Sequence, residues 1–391
     1  MGSISSKAFS SKGSELSKGS GLSKGSGLPE NSGPSKGSGL FSQEVGSIAS
    51  EAEQAAQKAG LTNDEASTVD SEQSCLHLAR LAGVTKALGD PQRLHVLQAL
   101  RWHSLNVNEL CQVLQVRQSA LSHHLKILLR ENLVQTRKEG NSTYYRRSHF
   151  QTTELRSLVH NALTLLDNSP LDKGMGSRLA MIDQHRSEQA QIFFNQQAKK
   201  LRANQELIAD FDVYGDAAVS MLSSLGLPSC AQVLELGPGY GEFLTRITAQ
   251  FESITAVDIS DGLIKQARER LVDQGVSHVE FIHGEIDDLA ADKRFDVAVC
   301  NMVLHHVSSP TSLLNKLAKR LKPQGHLIVT DLCQHEQSWA QTTCGDRWLG
   351  FEPKSLIADG ALAGLHHQKQ SMIALRNGFQ IQLQLFQRCA T

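Results

Sequence analysis

The 391-residue sequence predicts a multidomain chain: a disordered tail over 1–70, a small α+β domain over 71–168 and a larger α/β domain over 169–391. Three observations predict it. Residues 11–40 repeat a Ser/Gly/Lys hexapeptide, residues 90–147 read helix, tight turn, helix and hairpin, and residues 231–258 read buried strand, glycine-rich turn, helix and a strand ending in Asp. At about 100–200 residues per domain, the length itself asks for two or three domains.

The tail comes first. Its units are SKGSEL, SKGSGL, SKGSGL, a degenerate PENSGP and SKGSGL. A period of six can build a stacked β-helix, but one Leu per unit among Gly and Ser cannot offset backbone ordering entropy. A flexible, solubilising tail is the better reading, its Lys residues at most grazing DNA phosphates. An acidic linker follows, with a short Ala-rich helix over 47–60 to which no function is assigned. Met1-Gly2-Ser3-Ile4-Ser5-Ser6 fits a myristoylation pattern, a cheap match in a Ser-rich tail, and it is set aside.

Composition removes other classes. No window holds the ~18 apolar residues of a membrane helix, and the N-terminus lacks the apolar core of a signal peptide, so no membrane and a cytoplasmic location are expected. The seven cysteines (75, 111, 230, 300, 333, 344, 389) are widely spaced without a C-x-x-C, which excludes a disulfide framework. The net charge of −1 conceals an asymmetry: residues 75–150 carry eleven Lys and Arg against four acids, while 171–391 carry 21 bases against 25 acids. A basic block on a mildly acidic remainder suggests a nucleic-acid module attached to something else.

In the small domain, Leu78, Leu81, Val84 and Leu88 form one helical face that stops at Gly89. Asp90 as N-cap and Pro91 at the first position open the next helix. Asn106 or Asn108 caps NELCQVL, and Gln115 to Gln118 lead into SALSHHLKILLREN, two helices joined tightly enough for a helix-turn-helix. LVQTRKEGNSTYYRRS supplies two β runs around Glu139-Gly140-Asn141, a hairpin signal and hence a wing. Polar residues on the early turns of the second helix, Gln118, Ser119, Ser122 and His123, are placed to reach base edges, and Arg117, Lys126, Arg137 and Lys138 suit phosphates. His124 packs or bonds the backbone instead. Winged helices also serve as pure dimerisation modules; the basic block favours DNA.

GDPQRLHVLQAL, ELCQVL, the S-x-H-L of Ser122 to Leu125 and the EGNSTYY wing together resemble the ArsR-like repressor family over about a hundred residues. The resemblance implies a homodimer through the first and last helices, here about 73–88 and 150–166, on a double-stranded DNA operator. It does not extend to metal sensing. The arsenic-type Cys-x-Cys would need a second Cys where Val113 stands, and the zinc-type His-x-x-Glu meets Leu163 after His160. No metal is expected.

In the large domain, AQVLELGPGYGEFL runs from a buried strand into Gly237, Gly239 and Gly241, where backbone can approach a ligand ahead of a helix N-terminus. Asp258 ends the next strand, where a carboxylate can accept both ribose hydroxyls. The third Gly comes one residue earlier than in a dinucleotide fingerprint. FIHGEIDDL, FDVAVCNMVLHHV and LKPQGHLIVTDL then follow, and Asn377-Gly378 joins two alternating runs into a hairpin. The order and spacing resemble a class I S-adenosylmethionine-dependent methyltransferase over about 190 residues, a Rossmann-like fold with a seven-stranded sheet. GDRWLGFEP (345–353) is similar to a segment in bacterial fusions of ArsR-like and methyltransferase domains.

That resemblance implies S-adenosylmethionine as cofactor and S-adenosylhomocysteine as product. It places Glu235, Gly237, Gly239, Gly241 and Asn301 on the methionine and ribose side, Asp258 on the ribose, and Ile259, Glu285 and Ile286 around the adenine. Gln324 stands where Gly is usual, in a turn remote from the cofactor. Helices within 189–222 are expected over the cofactor. His305 and His306 are candidates for a base, although positioning alone can drive methyl transfer and packing accounts for them equally well. Three readings follow: a DNA-binding regulator that methylates a small molecule, a regulator whose second domain only senses the cofactor or its product, and an arsenite methyltransferase using Cys300, Cys333 and Cys344. CNMVLHHV does not place its cysteine as the last would require.

Overall fold

In the computed structural model, which describes residues 77–140, 142–149, 155–197 and 200–389, residues 77–88 are helical (α1). The repeat tail, the acidic linker, the Ala-rich stretch of 47–60, Met1 to Ser6 and Cys75 lie outside the described residues. Asp90 caps α2 (Pro91–Ala99) by accepting from the Arg93 N–H at 3.0 Å. The buried Arg93 guanidinium donates to the Lys86 and Ala87 carbonyls (2.7 Å each), satisfying orphan acceptors at the end of α1.

After β1 (Leu105–Asn106), α3 (Val107–Leu114) starts on a reciprocal box. Asn106, rather than Asn108, is the cap: its side chain accepts from the Glu109 N–H (3.0 Å) and the Glu109 carboxylate accepts from the Asn106 N–H (2.8 Å). Gln115 in the left-handed region (φ 54) turns the chain into α4 (Gln118–Arg130), which buries Leu121, Leu125 and Leu128. The wing strands β2 (Val134–Glu139) and β3 (Ser142–Arg147) pair antiparallel with Glu139 opposite Ser142, and β1 lies along β3. Arg147 ties α5 (Arg156–Asn168) back onto this frame, donating to both Asp167 oxygens (2.7 and 3.0 Å) and to the Leu97 carbonyl (2.6 Å).

The next helix, α6 (Lys173–Gln197), corrects the domain boundary expected at 168. Its Met175 and Leu179 are buried in the same core as Val84, Leu97 and Leu110, and Arg178 donates to the Val113 carbonyl at 2.6 Å. The winged helix therefore includes the first turns of α6, while the later turns lie over the large domain. A helix whose apolar residues enter two cores shows no single stripe, so its division is hidden in the sequence.

Helices α7 (Leu201–Glu206) and α8 (Phe211–Ser223) lead into a seven-stranded sheet. Its members are β4 (Gln232–Leu236), β5 (Ser253–Asp258), β6 (Val279–His283), β7 (Phe295–Asn301), β8 (Leu321–Leu332), β9 (Leu365–Ala374) and β10 (Gln380–Arg388). The spatial order is β6-β5-β4-β7-β8-β10-β9; β10 runs antiparallel to both neighbours and the remaining pairs are parallel. Helices α9 (Glu242–Ile247), α10 (Asp261–Asp273), α11 (Pro310–Arg320), α12 (Trp339–Thr343) and α13 (Pro353–Leu362) complete the domain. Two buried clusters, one around Leu222, Leu244 and Leu271 and the other around Leu314, Leu317 and Leu356, include residues of the central strands β4, β7 and β8. Gln324, where Gly is usual, takes a left-handed conformation (φ 64) that strains an L side chain.

Residues 75–391 form one unit. The wing joins the large domain through Arg146, which donates to Asp359 (3.2 Å) and Ser355 (2.9 Å), through His149 on Asp359 (3.0 Å), and through the Leu349 N–H on Glu139 (3.0 Å). Tyr144 meets Trp348 edge to face with centroids 5.0 Å apart. Among the described residues no helix is long and apolar enough to cross a membrane.

Candidate functional site

The carboxyl ends of β4 and β5 open into a cavity of about 780 Å³ roofed by α6. Six expected cofactor residues line it: Gly237, Gly239, Asp258, Ile259, Glu285 and Ile286. Gly237 has φ 69, and a Cβ there would lie 2.4 Å from the Val303 side chain, so both conformation and space require glycine. Gly241 stands behind the turn as N-cap of α9 rather than on the cavity wall. Glu235 and Asn301 are buried side by side and are not among the lining residues; one Glu235 oxygen has no partner among the described residues, and the Asn301 amide interacts with Glu235.

Asp258 accepts from the Ser260 N–H at 2.8 Å and is 7% exposed. Burial pushes its carboxyl up to about 6 against backbone donors at Ser260 and Gly239, which leaves it largely anionic at neutral pH. Burial pushes Glu235 up to about 8 against a hydrogen bond with the Asn301 side chain, the charge of Asp258 adding to the rise. An orphaned polar atom, a glycine cradle and an acceptor carboxylate fit an adenosyl cofactor with a charged amino-acid end.

The sequence reading placed the cover at 189–222 and missed its start. Ser187 donates to the Glu285 carboxylate, Gln191 donates to the Ile259 carbonyl (3.0 Å), and Ser260 donates to Asn195 (2.8 Å). One turn earlier Arg186, 3% exposed, donates to both Glu109 oxygens (2.6 Å each), to the Ser308 carbonyl (2.9 Å) and to the Ser104 carbonyl (3.1 Å). Asp183 accepts from Ser308 (3.3 Å) and meets His103 at 2.8 Å. These residues bind the cofactor roof to α3 of the helix-turn-helix.

A second, smaller cavity shares Met302, His306 and Gln205 with the first and adds Phe211, Tyr214, Tyr240, His305 and Asp346. His305 Nδ1 lies 2.8 Å from Asp331. Burial alone would lower His305, but the Asp331 and Asp346 charges outweigh it and hold it up at about 9. Burial and the neighbouring His305 push His306 well down, and Phe194 meets its ring edge-on at 4.9 Å. Burial raises the thiols of Cys300, Cys333 and Cys344, the last to about 12 with Asp346 adding, so none is a thiolate near neutrality.

On α4, Gln118, Ser119, Ser122, His123 and Lys126 are exposed on the face opposite the buried leucines, with Arg117 exposed just before them. Ser122 donates back to the Gln118 carbonyl (2.8 Å), and the half-buried His124 sits 3.7 Å from Asp90. On the wing Lys138 is exposed, but Arg137 is a correction. Its guanidinium pairs with Glu139, donates to the Gly350 carbonyl and lies over the Trp348 and Phe351 rings at 5.5 and 5.2 Å. Alternation along β2 puts it on the face that the large domain covers, so it is not available for phosphate.

Residues 90–136 match the family model for bacterial regulatory proteins of the arsR family, and residues 234–329 match the methyltransferase domain model. The ubiquinone biosynthesis O-methyltransferase of Xanthomonas axonopodis pv. citri is 32% identical over 148 residues, covering 36% of this chain and 56% of that protein. The malonyl-[acyl-carrier protein] O-methyltransferase of Priestia megaterium is 31% identical over 145 residues, covering 35% and 52%. The chain thus spans about half the length of these curated relatives. Among solved structures, the N-methyltransferase NodS of Bradyrhizobium japonicum in complex with S-adenosyl-L-homocysteine is similar with a TM-score of 0.40 at 19% identity, covering 50% of this chain and 97% of that one.

Proposed function

From a chain that carries an arsR-family helix-turn-helix domain and a methyltransferase domain, we infer a DNA-binding regulator that methylates a small molecule from S-adenosylmethionine. The observation that carries this reading is the meeting at Met302 and His306 of the large cavity, suited to the cofactor, with a recess of about 40 Å³ that would have to widen to admit an acceptor.

The bound cofactor supplies an electrophilic methyl on a sulfonium. The chain's own residues hold and enclose it. Asp258 accepts the ribose hydroxyls, Glu235 and Asn301 support the glycine turn on the amino-acid side from behind the cavity wall, Ile259, Glu285 and Ile286 bound the adenine, and α6 excludes water. Phe211, Tyr214 and Tyr240 line the recess and the two curated relatives are O-methyltransferases, so an oxygen nucleophile is the acceptor class we favour. Incubating the full chain with methyl-labelled S-adenosylmethionine and a panel of phenols, carboxylates and amines tests it. Label transfer to none of them, with the cofactor bound, would leave the sensor reading in its place.

Gln118, Ser119, Ser122 and His123 read bases in this proposal, while Arg117, Lys126 and Lys138 contact phosphates. Leu78, Leu81, Leu158 and Leu165 are 65, 39, 38 and 72% exposed, an apolar surface on α1 and α5 suited to a homodimer on a near-palindromic site. In the full chain, Lys126→Ala with Lys138→Ala weakens binding to all duplexes alike and lowers the salt slope by roughly two. Gln118→Ala or Ser122→Ala blurs sequence preference instead. Gel-shift titrations at several salt concentrations check both, and equal loss of preference in the two sets would refute the assignment.

A second reading, ligand control of DNA binding, is favoured by α6. Titrating operator DNA with saturating S-adenosylhomocysteine, with S-adenosylmethionine and with neither should give displaced curves, and by reciprocity DNA must alter cofactor affinity by the same factor. Three superimposable curves would remove this reading.

A further inference from the structure

We propose that His305, His306 and Asp346 bind one divalent transition-metal ion at the wall of the acceptor cavity. One donor atom from each of the three lies within 4.8 Å of the others, and all three side chains are buried. His305 and His306 follow β7, and Asp346 follows α12, so the site closes where two loops meet above the sheet.

Both imidazoles are held by a polar neighbour on Nδ1. His305 Nδ1 is held by the Asp331 carboxylate at 2.8 Å, and His306 Nδ1 faces the Gly345 carbonyl at 3.2 Å. With those nitrogens donating, a metal that displaces the second proton of His305 would find the lone pair on Nε2 of each ring, and the outer carboxylate and carbonyl are the partners that metal-bound histidines ordinarily have. His305 Nε2 and His306 Nδ1 each lie 3.8 Å from the same Asp346 oxygen, and His306 Nε2 has no partner among the described residues although it is buried, so His306 has to turn to present it.

Asp346 supplies the independent observation. Its residue is 3% exposed, and neither carboxylate oxygen accepts a hydrogen bond among the described residues. A carboxylate so deeply buried, with two imidazole nitrogens at 3.8 Å but no hydrogen bond, is poorly compensated. A proton on His305 answers one of the two carboxylates beside it, Asp331 or Asp346, and a divalent cation answers both.

Two imidazoles with one carboxylate suit Zn²⁺, Co²⁺, Fe²⁺ or Mn²⁺ rather than an all-oxygen cation. Donors around Zn²⁺ stand about 3.3 Å apart, so the 3.8 Å separation has to close by roughly half an ångström and any pair near the 4.8 Å limit by about 1.5 Å. Three protein ligands would leave a coordination position free, in the recess that Tyr214 and Tyr240 also line. This role alone rests on the methyl-transfer reading: an acceptor hydroxyl coordinated there would release its proton to solvent water more readily, leaving the oxygen to form the C–O bond as the C–S bond breaks. That replaces the base role expected of the two histidines.

The test titrates chelator-stripped full chain with Co²⁺. The expected result is one ion per chain with visible d–d absorption that added Zn²⁺ abolishes. Asp346→Asn and His306→Gln should each weaken Co²⁺ binding by more than about a hundredfold, and Asp331→Asn, which touches no metal, by about ten- to a hundredfold. Urea unfolding of each variant reports whether its fold survives. Absence of a stoichiometric Co²⁺ site in the unsubstituted chain overturns the proposal whatever the variants do, as does undiminished binding in folded His306→Gln. Cofactor binding and methyl transfer without a Co²⁺ site would sink the metal alone, and a Co²⁺ site without methyl transfer would sink the enzyme reading alone.

Discussion

Arg186→Met is expected to cost about 3–5 kcal/mol of stability, because it removes one partner of a buried ion pair and strands the other. Arg186 is 3% exposed and grips both oxygens of Glu109, whose side chain is itself only 17% exposed. Glu109 also accepts the Asn106 N–H in the capping box, so the lost cation disturbs the start of α3. The Ser104 and Ser308 carbonyls lose a donor as well. Urea unfolding measures the loss. Pairing the change with Glu109→Gln in a double-mutant cycle should recover about 1–3 kcal/mol as coupling between the two. A loss below about 1 kcal/mol in the single variant would show that the pair is not the joint described.

For Asp258→Ala the expected result is a fall in S-adenosylhomocysteine affinity of about tenfold or more. The substitution leaves two ribose hydroxyls without their acceptor, worth about 1–3 kcal/mol. Because Asp258 also accepts the Ser260 N–H, the variant's unfolding has to be followed alongside calorimetry. Asp258→Asn, which keeps one acceptor oxygen, should fall between. The unsubstituted chain should take one equivalent of S-adenosylhomocysteine and no NAD. Unchanged affinity in folded Asp258→Ala would mean that the cavity holds its ligand elsewhere.

How much of this was legible depends on how local the signals are. Asp90-Pro91, the Asn-x-x-Glu of Asn106 and Glu109, and Asn377-Gly378 each act within a few residues, and each sits in the structure at the cap or turn its chemistry favours. The glycine turn and Asp258 are legible for the same reason. Arg137 was misread because alternation shows that a strand has two faces without showing which one a distant segment covers; its Gly350 partner is 213 residues away. Asp346 was only one letter in GDRWLGFEP. Its unpartnered oxygens become visible when the loop after α12 is set against the loop after β7.

The bridging helix has a consequence for how such a chain can be inherited. Grafting a foreign methyltransferase after Asn168 would remove Met175 and Leu179 and leave the winged-helix core open. Grafting after Gln197 would keep that core but set Ser187 and Gln191 over a sheet whose Glu285 and Ile259 equivalents they had never met. Neither seam is free. The two ancestral modules can exchange partners only if the helix, the Glu109 cap beneath it and the adenine loop above it travel together, so recombination between such genes should spare this segment while substitutions accumulate around it.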